Sequence, residues 1–511
     1  MVYLSWWICW GASVISLVVC SHNDKYGQLR NSSTVYVDCI TGNDVADCGR
    51  NTSIPCKTLQ YVVSKRVQVF RVDHVLIDIA KGVCNENGVL KLDEANTVTH
   101  WFFVGSNLTQ NFPTIVHFSV KSFNSAIRFS HLKWENSSHQ ISFNVHMASV
   151  EFQHCTFNNI IFQFNGLNTD LTLQDTKVTY CKSRSQDIPL FFIQTLYDYE
   201  SNMFIGNSAF SYNTGPIIYA MQLHEISIQE TLFLKNGKDL FSNSSLVTVS
   251  GSSMVLENSI FNQTLGRAIE VKNMKHTNVT RVIFLLNYAS SGSCLLVKRH
   301  SNVNFAETVF KQNTNPVVLV KAHDDIKISL KACTFTCIIQ KEEMNAPFLK
   351  APEKTKITMT NSSIAKPCSV HCNNGEMVKS NIFCEKCPTG SFSYEENNII
   401  TSDSCQRCSP GRYASEKGST NCSQCAEGTY AQKYGNTGCK KCTNDFLTSD
   451  SGSSSCSKMT IEFILILSGS IPMILIPLFL LLGRRFQKRR HLKMKARLEH
   501  EKYNRFGHIN S

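Results

Sequence analysis

Between Val75 and Ile364 the apolar positions fall in short runs rich in β-branched and aromatic residues, separated by Asn, Ser, Gly and Lys. Few runs have helical spacing, and short apolar stretches broken by turn residues predict strands. An aromatic recurs in them with an Asn close behind: LKWEN at Trp134, SAFSYN at Phe210, TLFLKN at Phe233, VIFLLN at Phe284 and TVFKQN at Phe310. Degenerate copies centre on Phe157, Val178, Phe261 and Phe335. Successive copies stand 21 to 32 residues apart, a solenoid period. One such unit cannot bury its inward aromatic alone. Stacked units place Phe on Phe inside and Asn on Asn at a turn, where amides bond from unit to unit.

Two longer apolar stretches depart from this pattern. Residues 1–21 lie before the first charged side chain, Asp24, and read as a signal peptide. Residues 463–482 carry no charge over 20 positions, enough to predict one transmembrane helix. Arg484, Arg485, Lys488, Arg489 and Arg490 follow at once, which orients residues 483–511 as a cytoplasmic basic tail. The expectation is a type I single-pass protein of the plasma membrane or endomembrane system, its N-terminal side extracellular or lumenal. The tail holds 10 Lys and Arg against 2 acidic residues, so it accounts for most of the chain's net +12. Membrane lipids are therefore its expected partner, and nucleic acid is not one for the rest of the chain.

Of 22 cysteines, all but Cys9 and Cys20 follow the signal segment, in a compartment this topology makes oxidising. Asn-x-Ser/Thr sequons at Asn31, Asn51, Asn107, Asn136, Asn243, Asn262, Asn278 and Asn361 mark expected glycosylation sites.

The segment TVYVDCITGNDVADCGRNTSIPCKTLQYVV opens residues 34–74 with a Val-rich strand, then Cys-Gly and Pro-Cys-Lys-Thr-Leu before an apolar helical run. With the repeats that follow, it resembles the start of pectin-lyase-like surface proteins. The resemblance implies an all-β fold: a right-handed parallel β-helix solenoid over 75–365, closed by an N-terminal helical cap. Thr58 is the expected helix N-cap, with Leu59, Val62 and Val63 covering the open core. Cys39, Cys48, Cys56 and Cys84 suffice for two disulfides, with three pairings open. Cys155, Cys294 and Cys333 lie in apolar surroundings and read as buried thiols.

From 368 to 456 a second repeat appears: CEKCPTGSFS, CQRCSPGRYA, CSQCAEGTYA and CKKCTNDFLT. It resembles the ephrin-receptor-like cysteine-rich module, related in layout to tumour-necrosis-factor-receptor repeats. The fourth copy departs in having Asn444-Asp445 where the others have glycine. Such C-x-x-C pairs also suit structural zinc, but an oxidising compartment favours disulfides. The expected scheme joins the second Cys of each pair to the first of the next: Cys387 to Cys405, Cys408 to Cys422, Cys425 to Cys439, Cys442 to Cys456 and, by extension, Cys372 to Cys384.

Many β-helix proteins cleave polysaccharides. Galacturonase-like members carry Asn-Thr-Asp, then Asp-Asp about two dozen residues on, then Gly-His-Gly and Arg-x-Lys. Here Asn168-Thr169-Asp170 and Asp324-Asp325 are far apart, and the other two motifs are missing. Glycosidase carboxylates must lie within roughly 5 to 10 Å of each other. No catalytic residue, metal ligand or cofactor is assigned. The expected function is a non-enzymatic recognition or adhesion receptor for an extracellular protein or glycan. A tethered polysaccharide lyase or hydrolase with a diverged site, and a structural surface-coat protein, are the alternatives.

Overall fold

The computed structural model describes residues 32–506 except 68–71, 93–97, 106–113, 138–139, 186, 197–198, 239–243, 291, 300, 315, 322–325, 337–346, 353, 366–371, 380–381, 395–404 and 444–446. The expected signal peptide lies outside the described residues. The chain divides into two units, the first ending near residue 371 and the second beginning at Cys372.

The first unit is a β-solenoid. Among the described residues its strands form one continuous system of parallel pairs, each coil strand pairing with its counterpart one coil away. One coil shows the plan: Ser149–Gln153 in a first column, Thr156–Asn158 in a second and Ile161–Leu167 in a third. Alternate side chains point in and out, giving the buried and half-buried alternation of Ile161–Leu167. The three-residue strands of the second column each place one side chain inward. Trp134, Phe157, Val178, Phe210, Phe233, Phe261, Phe284, Phe310 and Phe335 stand opposite one another in register. These are the nine repeat positions of the sequence, and all are buried. Their rings stack along the core, Phe233 on Phe261 at 4.4 Å and Phe284 on Phe310 at 5.3 Å between centroids.

The coils turn on residues in left-handed conformation. His131, His154, Asp175, Asn207, Glu230, Asn258 and Arg281 have φ between 42° and 59° at successive first corners. Asn207 bonds to Asp175, and Arg281 pairs with Glu257 and with Asn258 of the preceding coil.

Near the chain's start Thr58 accepts a hydrogen bond from Tyr61 N and begins the short helix Leu59–Tyr61, which continues as a π-turn Val62–Arg66. Leu59, Val62 and Val63 join the solenoid core. Glu86, buried, accepts from Leu59 N at 2.7 Å and Gln60 N at 3.1 Å. Disulfides join Cys39 to Cys84 and Cys48 to Cys56.

The second unit contains paired two-residue antiparallel strands, such as Arg412–Tyr413 with Ser423–Gln424 and Thr429–Tyr430 with Lys440–Lys441. Cys372–Cys384, Cys387–Cys405, Cys408–Cys422, Cys425–Cys439 and Cys442–Cys456 are bonded. Gly390 and Gly411, at φ 82° and 85°, stand where a Cβ would come within 2.2 and 1.9 Å of the carbonyl oxygens of Gly435 and Gly452. The backbones of the first and third repeats, and of the second and fourth, touch there. Asn444-Asp445 of the fourth repeat lies outside the described residues.

One expectation is corrected. Residues 463–482 belong to a single helix, Ile461–Phe506, that runs unbroken through Arg484, Arg485, Lys488, Arg489 and Arg490. Side chains at 467 and 469–474 lie outside the description, and the described apolar stretches are shorter than the ~20 residues a span requires. Among the described residues no helix is long and apolar enough to cross a membrane. The single-pass type I placement, with its cytoplasmic tail, is withdrawn. What the disulfides support is an extracellular location.

Candidate functional site

The outward side of the third column carries an aligned row of polar and aromatic side chains. Its register places Lys121, Asn144, Asn165, Phe192, Tyr219, Thr248 and Glu270 opposite one another in seven successive coils. Parallel pairing fixes this row, since each strand aligns its outward residues with those of the next.

After Lys121 the row carries amides. Asn165 Nδ2 donates to Asn144 Oδ1 at 2.8 Å, Gln163 Nε2 to Asn165 Oδ1 at 3.0 Å, and Gln140 Nε2 to Gln163 Oε1 at 2.9 Å. An open groove of about 540 Å³ runs here, lined by Phe123, Asn144, His146, Asn165 and Phe192. Aromatics come next. The Phe192 and Tyr219 rings are nearly parallel at 7°, their centroids 5.8 Å apart, and both are half-buried. Lys272 sets its ammonium 5.8 Å from the Tyr219 ring centre, a cation–π contact.

Glu270 follows, buried and surrounded by donors. Its Oε1 accepts from Lys298 Nζ at 2.8 Å and lies 3.1 Å from Lys272 Nζ. Its Oε2 accepts from Ser245 Oγ at 3.0 Å and lies 3.6 Å from Arg267. Burial alone would push this carboxyl up, but the bonds from Lys298 and Lys272 outweigh it and hold Glu270 below the usual range. Glu270 is therefore an ionised carboxylate with no proton to give, the opposite of a glycosidase acid, whose pKa is raised.

The galacturonase-like motif dissolves into structure. Asn168 Oδ1 accepts from Leu196 N at 2.7 Å, Thr169 is buried, and Asp170 Oδ1 accepts from Asn202 N at 2.7 Å. These side chains tie one coil to the next. Asp324-Asp325 lies outside the described residues.

Among the sequons, Asn51, Asn136, Asn278 and Asn361 are exposed, whereas Asn262 is partly buried. Asn51 Oδ1 accepts from Ser53 N and Ile54 N, a local turn. Asn31, Asn107 and Asn243 lie outside the described residues. Cys155, Cys181, Cys294 and Cys333 are buried free thiols. Burial pushes Cys155 and Cys181 up to about 12.

Phe192, Tyr219 and Glu270 were not singled out from the sequence. They belong to no motif, and the signal that unites them is their register, which the varying lengths of the connecting turns conceal.

No protein-family model matches the chain, and no curated protein matches it. Several solved structures are similar. A GH136 lacto-N-biosidase from Eubacterium ramulus has a TM-score of 0.33 at 10% identity, covering 64% of this chain and 68% of that one. The ORF18 protein of Geobacillus virus E2 has a TM-score of 0.33 at 10% identity, covering 76% and 68%. A PL6 alginate lyase bound to a trisaccharide has a TM-score of 0.30 at 9% identity, covering 69% and 91%. At these scores the likeness carries no argument about activity.

Proposed function

We propose that this chain is an extracellular recognition protein that binds a glycan, without cleaving it, along the third column of a right-handed solenoid whose first coil is closed by the Leu59–Arg66 turn. The observation that carries the reading is the unbroken row from the Asn144–Asn165 amide pair to the Phe192–Tyr219 ring pair. Amides offer both donors and acceptors to hydroxyls, and a flat ring pair suits the apolar face of a sugar ring. The row's carboxylate, Glu270, is held by lysines and is poorly suited to acid catalysis.

The competing reading is a polysaccharide lyase or hydrolase with a diverged site. Saccharides are the ligands to test first, on the chemistry of the row's amides and rings. The experiment is a glycan array probed with the full chain, followed by titration of the best binder. Phe192→Ala and Tyr219→Ala should each weaken binding by about tenfold, the effect of removing an anchoring aromatic. No reducing ends or unsaturated products should form. Turnover abolished by Glu270→Gln would establish the enzyme reading instead, and the absence of any glycan ligand would leave the structural-coat alternative.

A further inference from the structure

We infer that the corner between the second and third columns is a second saccharide site, built from Tyr180, Tyr212 and Lys235 and separate from the sheet face above. Immediately after the second-column strands, successive coils place Asn136, Asn159, Tyr180, Tyr212 and Lys235 at one corner, with φ of 52°, 50°, 53°, 57° and 50°. Backbone bonds fix each corner to the next coil, Tyr180 N to Ser211 O at 3.1 Å and Tyr212 N to Leu234 O at 3.0 Å. The side chains project outward in a line. Asn159 Nδ2 donates to Asn136 Oδ1 at 2.9 Å. The Tyr180 and Tyr212 rings are stacked at 4.9 Å and 9°, and the Lys235 ammonium lies 5.7 Å from the Tyr212 ring centre.

The tyrosines do not serve the core: they are 57% and 39% exposed. They also occupy a backbone conformation that asparagine tolerates and bulky residues rarely adopt. The same corner is made by Asn136 and Asn159 in earlier coils and by Gln263, Leu286 and Gln312 in later ones, so the turn itself does not require tyrosine. Two large rings stacked there with open faces fit a role outside folding.

The ligand class follows from the groups offered. Each coil contributes one recognition residue, so the row matches a ligand that itself repeats. Ring faces, amides and an ammonium rich in donors are what a linear pyranose chain needs: stacking for its C–H faces and hydrogen bonds for its hydroxyls. A protein partner would seek a desolvated pocket for its anchor, and rings this exposed do not make one.

The test uses the full chain and hexasaccharides of β-linked glucose, mannose, xylose and N-acetylglucosamine, titrated by calorimetry. The variants are Tyr180→Asn and Tyr212→Asn, which keep the corner's backbone and relieve its strain, with Lys235→Ala and, for the sheet face, Tyr219→Ala. The expected result is at least tenfold weaker binding of one hexasaccharide to Tyr212→Asn and Tyr180→Asn, with melting temperature unchanged or raised. Lys235→Ala should weaken it less, and Tyr219→Ala should not affect this site. Loss at Tyr212→Asn with none at Tyr219→Ala would uphold the corner site even where the sheet-face reading fails. Wild-type affinity in both Tyr→Asn variants, a lowered melting temperature without loss of binding, or no hexasaccharide bound by the wild type would each overturn the inference.

Discussion

Asn236 holds two coils together from inside the wall of the solenoid. Its Oδ1 accepts from Asn213 N at 3.1 Å and Asn213 Nδ2 at 3.0 Å, while its Nδ2 donates to Phe210 O at 2.8 Å. Asn313 does the same for Asn287 and Phe284 O. All four asparagines are buried, so Asn236→Ala would strand polar groups in the core and should cost about 2 to 3 kcal/mol in chemical denaturation. Between the two pairs stands Thr264, whose hydroxyl is buried and has no partner among the described residues. Thr264→Asn should complete the ladder and raise stability by about 1 kcal/mol, measured the same way. This ladder was legible in the sequence as the Asn three places after Phe210, Phe233, Phe284 and Phe310. At Trp134 the reading slipped: Asn136 is the exposed left-handed corner, and Ser137 takes the buried place. The two residues differ by one position, which in a solenoid turn means opposite sides of the wall. Of the free thiols, Cys155, Cys294 and Cys333 were legible as cysteines among apolar neighbours, and Cys181 was not. With Cys155 and Cys181 pushed up to about 12 by burial, they should resist iodoacetamide at pH 8 in the native protein and react once it is unfolded, as mass spectrometry would show.

At the scale of single elements, strand Arg267–Lys272 shows what pairing adds to sequence. Glu270 and Lys272 lie on this strand, whereas Lys298 arrives from the next coil. Because Glu270 is held below its ordinary 4.5, it contributes stability that is fully present above that pH and is lost as pH falls through the lowered value. Glu270→Gln should therefore cost about 1 to 3 kcal/mol at pH 7, and its deficit relative to wild type should shrink in denaturation curves taken below pH 4.5. The disulfides divide along the same line between local and distant information. Cys408, Cys425 and Cys442 each close a loop of 14 residues, and that regularity was readable from spacing. Cys39–Cys84 spans 45 residues. It depends on strand His74–Ile79 pairing beside Ser32–Val37, which no local pattern announces. The helix Ile461–Phe506 went the other way: an uncharged run suggested a discrete span, and the pattern did not reveal one helix continuing through the basic stretch.

For the molecule as a whole, the two units are stabilised by different means. The solenoid rests on a continuous apolar core from Val35 to Ile382, whereas the cluster around Cys408, Ala414 and Cys422 is small. Each 14-residue disulfide loop is worth about 3 kcal/mol in the chain-entropy model, so the second unit should depend on its bridges far more than the first. Mild reduction followed by limited proteolysis should expose sites between Cys372 and Cys456 while the coils from Ala126 to Ile364 stay protected; equal cleavage of both would contradict this. The solenoid's mode of stacking also bears on its ancestry. Arg281 reaches back 23 residues to Asn258, the equivalent corner one coil earlier. Because each coil meets only its neighbours, excising those 23 residues brings like corner to like corner and ring to ring, and duplicating them does the same. Nothing in such a wall counts its own courses, so gene duplication and loss can lengthen or shorten it, and descendants of one ancestor can differ in reach while keeping the same brick.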